Sequence, residues 1–168
     1  MFSFFPRYTI RLFFIVSSGV AQSYIWPVNM ESLDNTFERK NDMTKTIIST
    51  DTAPAAIGPY SQAVKAGGLL FLSGQLPINP VTGVMAKGID EQTRQAIKNV
   101  EALLLFAGLT LGHVVKNSVF LSDLGNFSAM NEVYREFFPE APPARSCFQV
   151  AGIPLGALVE IEAVAVAD

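Results

Sequence analysis

Three features of the chain predict an α+β fold, one mixed β-sheet with two helices on one face. From Met43 onward, short runs rich in β-branched or alternating apolar residues (TIIST, LLFLSG, VVKNSVFL, RSCFQVA, ALVEIEAVAVA) are interrupted by only two stretches of helical period. Glycine and proline punctuate the junctions between these runs. Two helices can cover only one face of a sheet, so the other face needs a different cover.

The elements follow in order. TKTIIST reads as a strand that ends in the ordered loop TDTAPAAIGPY, where two prolines and a glycine restrict the backbone. SQAVKAGGLLFLSGQLPI reads as a hairpin turning at Gly67 and Gly68, and NPVTG as a further turn. From Asp90, the expected N-cap, Ile97, Val100 and Leu104 recur at i, i+3 and i+7 with Ala96 and Leu103 beside them. That spacing predicts an amphipathic helix stopped by Gly108. HVVKNSVFL returns to a strand. Met130, Val133, Tyr134 and Phe137 make a second helical stripe, closed by Pro139. RSCFQVA and ALVEIEAVAVA are the last two strands.

Residues 1–42 do not share these periods. MFSFFPRYTIRLFFIVSSGVAQSYIW carries Arg7 and Arg11 near the apolar run LFFIV, small residues at Gly19 and Ala21, and no acid before Glu31. The run is too short to span a bilayer, and no membrane association is expected. The segment reads either as a targeting peptide or as an extension from a start codon upstream of Met43. Residues 27–42 are polar and aperiodic, as in a linker. The expected organisation is therefore an extension over 1–42 and a folded domain over 43–168. The protein is expected in the cytoplasm, or in an organelle or outside the cell if the extension is a targeting peptide.

Composition narrows the function. The 168 residues are 49% hydrophobic and 16% charged, a folding composition. A net charge of -3 with no basic run disfavours a protein built on phosphate contacts, so nucleic acid is not an expected partner. Cys147 is the single cysteine and His113 the single histidine, which excludes an intrachain disulfide and leaves no Cys/His metal set.

Side chains alternate along a strand. Arg145, Cys147 and Gln149 therefore share one face, and Ser146, Phe148 and Val150 the other. Phe148 and Val150 are expected in the helix-covered core. In VEIEAVAV, Glu160 and Glu162 oppose Ile161 and Ala163. Arg145, Cys147 and Glu160 are then expected together on the helix-free face, where a subunit boundary would make a pocket.

The segments IGPYSQAV, LFLSGQLPINPVTG, PARSCFQVAGIP and VEIEAVAV, in this order, closely resemble the Rid (reactive intermediate deaminase) family. Within it they resemble the RidA subfamily of 2-iminobutanoate/2-iminopropanoate deaminases. The resemblance runs from Met43 to Asp168. It implies a chorismate-mutase-like fold and a homotrimer with three clefts between subunits. The implied activity is hydrolysis of enamines and imines, such as 2-aminoacrylate and its homologue, to 2-keto acids and ammonia, with no metal or organic cofactor. It also implies roles at the matching positions. Arg145 would hold the substrate carboxylate, for which a planar fork of donors is suited. Cys147 would lend mainly backbone polar groups, and Glu160 would position or activate the attacking water. Tyr60, Ser73, Gly74 and Asn131 would line the cleft. Gly152 departs from the pattern, since many relatives carry a larger, often basic side chain there.

Other readings of the same residues are weaker. A nucleophilic Cys147 would need a base, and His113 stands alone in an apolar context. Glu160 and Glu162 stand about 6.5–7 Å apart by strand rise, within the inverting-glycosidase range, but no aromatic sugar platform accompanies them. Glu162 is expected to be structural, for instance as an ion-pair partner within the trimer. LSGQ lacks the flanking glycines of a nucleophile elbow around Ser73. Two further functions remain: a ribonuclease or translation inhibitor, as relatives of this fold have been described, and a non-catalytic binder of small carboxylates. The binder would keep Arg145 without needing Glu160.

Overall fold

The computed structural model describes residues 11–14, 22–25 and 44–167, in two compact units, 1–42 and 43–168. In the first, β1 (Arg11–Phe14) pairs antiparallel with β2 (Gln22–Ile25). The apolar run LFFIV thus begins in a strand. Its last two residues, together with Arg7, Gly19, Ala21 and the linker at 27–42, lie outside the described residues.

The second unit runs β3 (Thr46–Ile48), β4 (Ala63–Ala66), β5 (Leu69–Gln75), α1 (Gly88–Phe106), β6 (Val114–Leu121), α2 (Phe127–Phe137), β7 (Ala144–Gln149) and β8 (Val159–Val166), the predicted order. The sheet order is β3-β4-β5-β8-β6-β7, with β6 and β7 parallel and the other neighbours antiparallel. The last strand in sequence therefore lies mid-sheet, and β7 forms an edge.

Local chemistry accounts for the boundaries. Gly67 and Gly68 have φ of 55° and 75°, the left-handed pair that a two-residue hairpin turn requires. Helix α1 begins earlier than predicted. Its N-cap is Lys87, and Asp90 sits with Glu91 in the first turn, where carboxylates meet the positive end of the helix dipole. At the other end Gly108, at φ 78°, terminates the helix as expected.

Helix α1 lays Ala96, Ile97, Val100, Leu103 and Leu104 onto the sheet, against residues such as Leu70 and Leu72 of β5 and Ile161 and Ala163 of β8. Each large side chain so buried contributes about 1.5–3 kcal/mol. Helix α2 adds Met130, Val133 and Tyr134. Two buried amides hold the loops around the sheet. Gln92 Oε1 accepts from Leu158 N at 2.7 Å, which pins the entry to β8. Gln62 Nε2 donates to Thr50 O and Pro54 O at 3.0 and 2.8 Å, which pins the loop leading to Tyr60.

Residues paired across a sheet share a face, and here the register corrects the expectation for β7. Arg145 pairs with Asn117 and Cys147 with Val119, both buried under the helices, whereas Ser146 and Phe148 pair with Ser118 and Phe120. Arg145, Cys147 and Gln149 thus lie on the helix-covered face. Phe148 is 55% exposed on the open face, with Phe71 at 45% and both Glu160 and Glu162. Two contacts agree: Lys116 Nζ donates to Ser146 Oγ at 2.7 Å, and Arg145 reaches α2. The hydrophobicity of Phe148 suggests a core position, but its pairing with Phe120 across the parallel edge sets it on the face without helices.

Candidate functional site

All of the predicted site residues except Cys147 line two separate clefts of the protomer. The first, about 390 Å³, is lined by Tyr60, Ser73, Gly74, Glu160 and Glu162, with Ile57, Leu76 and Pro154. It is built on a β-bulge. Leu72 pairs with Ala163 and Gln75 with Ile161, so Ser73 and Gly74 together oppose Glu162. The bulge is held by Ser73, whose Oγ donates to Ser61 O at 2.7 Å and whose N–H donates to Gln62 O at 3.0 Å. Ser73 is therefore engaged with backbone, and no base activates it. Over the bulge lies the Glu160 side chain. A Cβ on Gly74 would overlap Glu160 Oε1 and stand 2.7 Å from its Cδ, so the missing side chain is what makes room for the carboxylate.

Partial burial, and next the charge of Glu162, push the Glu160 carboxyl above the usual carboxylate range. Among the described residues no Lys or Arg lies within salt-bridge distance of either glutamate; the ion pairs there join Arg94 to Glu91 and Glu136, and Arg135 to Glu132.

The second cleft, about 250 Å³, is lined by Asn131, Tyr134, Arg135, Phe138, Pro142, Pro143 and Arg145. Arg145 Nη2 donates to Asn131 Oδ1 at 2.7 Å, and its Cζ stands 4.4 Å from the centre of the Tyr134 ring. No carboxylate among the described residues neutralises it.

Cys147 packs against the core instead of opening into either cleft. Burial pushes its thiol above the usual range while the Arg145 charge pulls weakly the other way, so the thiolate needed for nucleophilic attack is disfavoured. His113 is structural: its Nδ1 accepts from Thr110 N at 3.1 Å. Gly152 is open, with no atom within 4 Å of where a side chain would begin. Among the described residues no cluster of His, Cys, Asp and Glu could hold a metal ion, and no helix is long and apolar enough to cross a membrane. Tyr134 is a cleft residue that the sequence does not single out, because its helical spacing matches a core stripe.

The folded unit is thus a small α+β protein of the chorismate-mutase-like class, a helix-backed mixed sheet with a guanidinium that no carboxylate among the described residues neutralises and a half-buried carboxylate at separate margins. The family model described as Endoribonuclease L-PSP matches residues 50–167. A RutC family protein of Pyrococcus horikoshii is 51% identical over 122 residues, covering 72% of this chain and 97% of that protein. The chloroplastic Reactive Intermediate Deaminase A of Arabidopsis thaliana is 45% identical over 126 residues, 74% of this chain and 67% of that one. The crystal structure of Escherichia coli TdcF with bound serine superimposes with a TM-score of 0.71 at 44% identity, covering 73% of this chain and 99% of TdcF. The chain belongs to the Rid family, in its RidA subfamily.

Gly74→Ala tests the close fit at the bulge. The variant should fold, lose about 1–3 kcal/mol of stability as overpacked sites do, and show Glu160 in a different rotamer in its crystal structure. A Glu160 side chain unmoved beside the added methyl group would contradict the packing described.

Proposed function

We propose that the protein hydrolyses reactive 2-imino acids and their enamine forms, 2-iminopropanoate (from 2-aminoacrylate) and 2-iminobutanoate, to 2-keto acids and ammonia. It acts as a homotrimer whose three sites each join the Arg145 cleft of one chain to the Glu160 cleft of its neighbour. One observation carries this reading: within a protomer the carboxylate-binding group and the candidate base line different clefts, each open and each lacking its complement. The exposed Phe71 and Phe148 support a subunit contact over the open face. Names of relatives support the deaminase reading, and bound serine in TdcF is a small amino acid carrying the same carboxylate handle.

The chemistry asks little of the protein. Arg145 pairs with the substrate carboxylate through two parallel N–H···O bonds. The protonated imine carbon is already electrophilic. Water held by Glu160 attacks it, forming the C–O bond as Glu160 takes a proton from the water and the C=N electrons move to nitrogen. Glu160 returns that proton to the nitrogen, the hydroxyl loses its own to solvent, and the C–N bond breaks to leave the keto acid and ammonia. Orientation lowers much of the barrier, and a positioned base adds about 10²–10⁴-fold. A raised proton affinity suits a group that must accept and then return a proton. The endoribonuclease in the family model's description has less support here, because a net charge of -3 without a basic run gives a weak hold on phosphates.

A coupled assay tests the proposal. A threonine or serine dehydratase generates the imine, with semicarbazide as a trap. Adding the protein should speed keto-acid formation and lower the semicarbazone; an unchanged trapped fraction at stoichiometric protein would refute deamination. Arg145→Ala should lose both turnover and calorimetric binding of 2-oxobutanoate. Glu160→Gln should keep binding and lose about 10²-fold or more in rate. A binder without catalysis would leave the trap untouched by the parent protein as well.

The pH profile has a defined sign. Glu160 must be ionised to accept the water's proton, so the rate should fall as pH drops through its raised pKa. Glu162→Gln removes the neighbouring charge and should move that acid limb to lower pH; a limb that stays in place would show that Glu162 does not act on Glu160.

A further inference from the structure

Arg145 is held in an unusual way for a half-buried cation. Its guanidinium carries five N–H donors, and among the described residues Asn131 Oδ1 is the side-chain acceptor that engages it. The rest of its support is aromatic. Cζ lies 4.4 Å from the centre of the Tyr134 ring and 5.8 Å from that of Phe127, both on α2, within the range of cation–π attraction. The Tyr134 ring is itself fixed on two sides. It stacks on Phe138 at 4.6 Å with the planes 29° apart, and its hydroxyl accepts a 2.7 Å bond from Asn117 Nδ2. Asn117 is 1% exposed, and among the described residues its Oδ1 has no partner. A core position that tolerates an unpaired carbonyl is costly for stability alone; here it fixes one ring.

We infer that Tyr134, and more weakly Phe127, are positioning residues: a neutral aromatic seat that fixes the plane of the Arg145 guanidinium and leaves its charge free for a carboxylate ligand. This rests on the reading of Arg145 as the carboxylate anchor. The choice of seat has a physical reason. A carboxylate partner would hold the arginine as firmly but would occupy its fork and cancel its charge. A ring face attracts the cation through its quadrupole while leaving the in-plane N–H edge open. Because the ring constrains a plane, it matters for a guanidinium and not for the spherical ammonium of lysine.

The test uses the full chain, the trap-coupled assay and calorimetry with 2-oxobutanoate. Tyr134→Met keeps a long, flexible apolar side chain and removes the ring; KM and the keto-acid Kd should rise about 10-fold, within the range of a desolvated cation–π contact, while kcat changes less than about threefold. Tyr134→Phe retains the ring and should restore both constants to within about threefold of the parent, although it melts at a lower temperature because Asn117 loses its partner. In an Arg145→Lys background the Tyr134→Met change should cost less than about twofold, since the two effects are not additive when one residue acts through the other. Phe127→Leu, at a partly exposed first-turn position that folds whatever the core tolerates, should raise KM about threefold. Parent-like KM and Kd in Tyr134→Met, no recovery in Tyr134→Phe, or the full cost persisting in the Arg145→Lys background would each overturn the inference. If Tyr134→Met does not fold, an unchanged KM in Phe127→Leu overturns it. If Arg145→Ala itself binds the keto acid like the parent, the carboxylate-anchor reading fails; if only Arg145→Ala weakens binding, that reading stands and the aromatic seat falls.

Discussion

The domain is governed by a mismatch of layers: a six-stranded sheet has two faces, and two helices cover one of them. Helix α1 and helix α2 close the first face over Leu70, Leu72, Ile161 and Ala163. The second keeps Phe71 and Phe148 largely exposed, beside Lys116, Glu160 and Glu162. Exposed apolar side chains of this kind are a feature of surfaces that meet a partner. Both clefts sit at margins of this arrangement, Glu160 where the bulge of β5 meets β8, Arg145 where edge strand β7 runs past α2.

Polar groups divide accordingly. Three buried amides, Gln62, Gln92 and Asn99, are satisfied by short bonds to backbone, Asn99 Nδ2 reaching Leu76 O and Ile78 O at 2.8 and 2.9 Å, while Asn117 is taken up by the Tyr134 hydroxyl. At the margins polar groups are left available. Glu160 accepts a proton more readily because burial and Glu162 both penalise its charge, and Arg145 keeps a positive charge that no carboxylate among the described residues cancels. A charge held ready without a partner costs stability, which is the usual signature of a site in place of a structural ion pair.

Much of this could be read from the residues alone. The hairpin at Gly67 and Gly68, the stripe from Ala96 to Leu104 and the alternation in VEIEAVAV each follow from a local period or a required φ, and the structure reproduces them. The facing of Arg145 could not be obtained that way. Alternation states which residues share a side but not which side, and Phe148 made the wrong choice attractive. The deciding fact is a pairing, Asn117 with Arg145 across the parallel edge, made by residues 28 positions apart. The bulge at Ser73 and Gly74 was illegible for the same reason, since it exists only against Glu162. Asn117 carried the available hint: a polar residue alternating with Val119 and Leu121 on a buried face needs a partner, and Tyr134 lay one helix away.

The central claim is that a complete site takes Arg145 from one chain and Glu160 from another, and subunit mixing tests it most directly. Arg145→Ala and Glu160→Gln chains should each be inactive alone. Unfolded together and reassembled in equal amounts, random trimers place an intact Arg145 opposite an intact Glu160 at about one site in four, so about a quarter of the parent imine hydrolysis should return. Mixed chains that co-assemble yet remain as inactive as either variant would contradict the account.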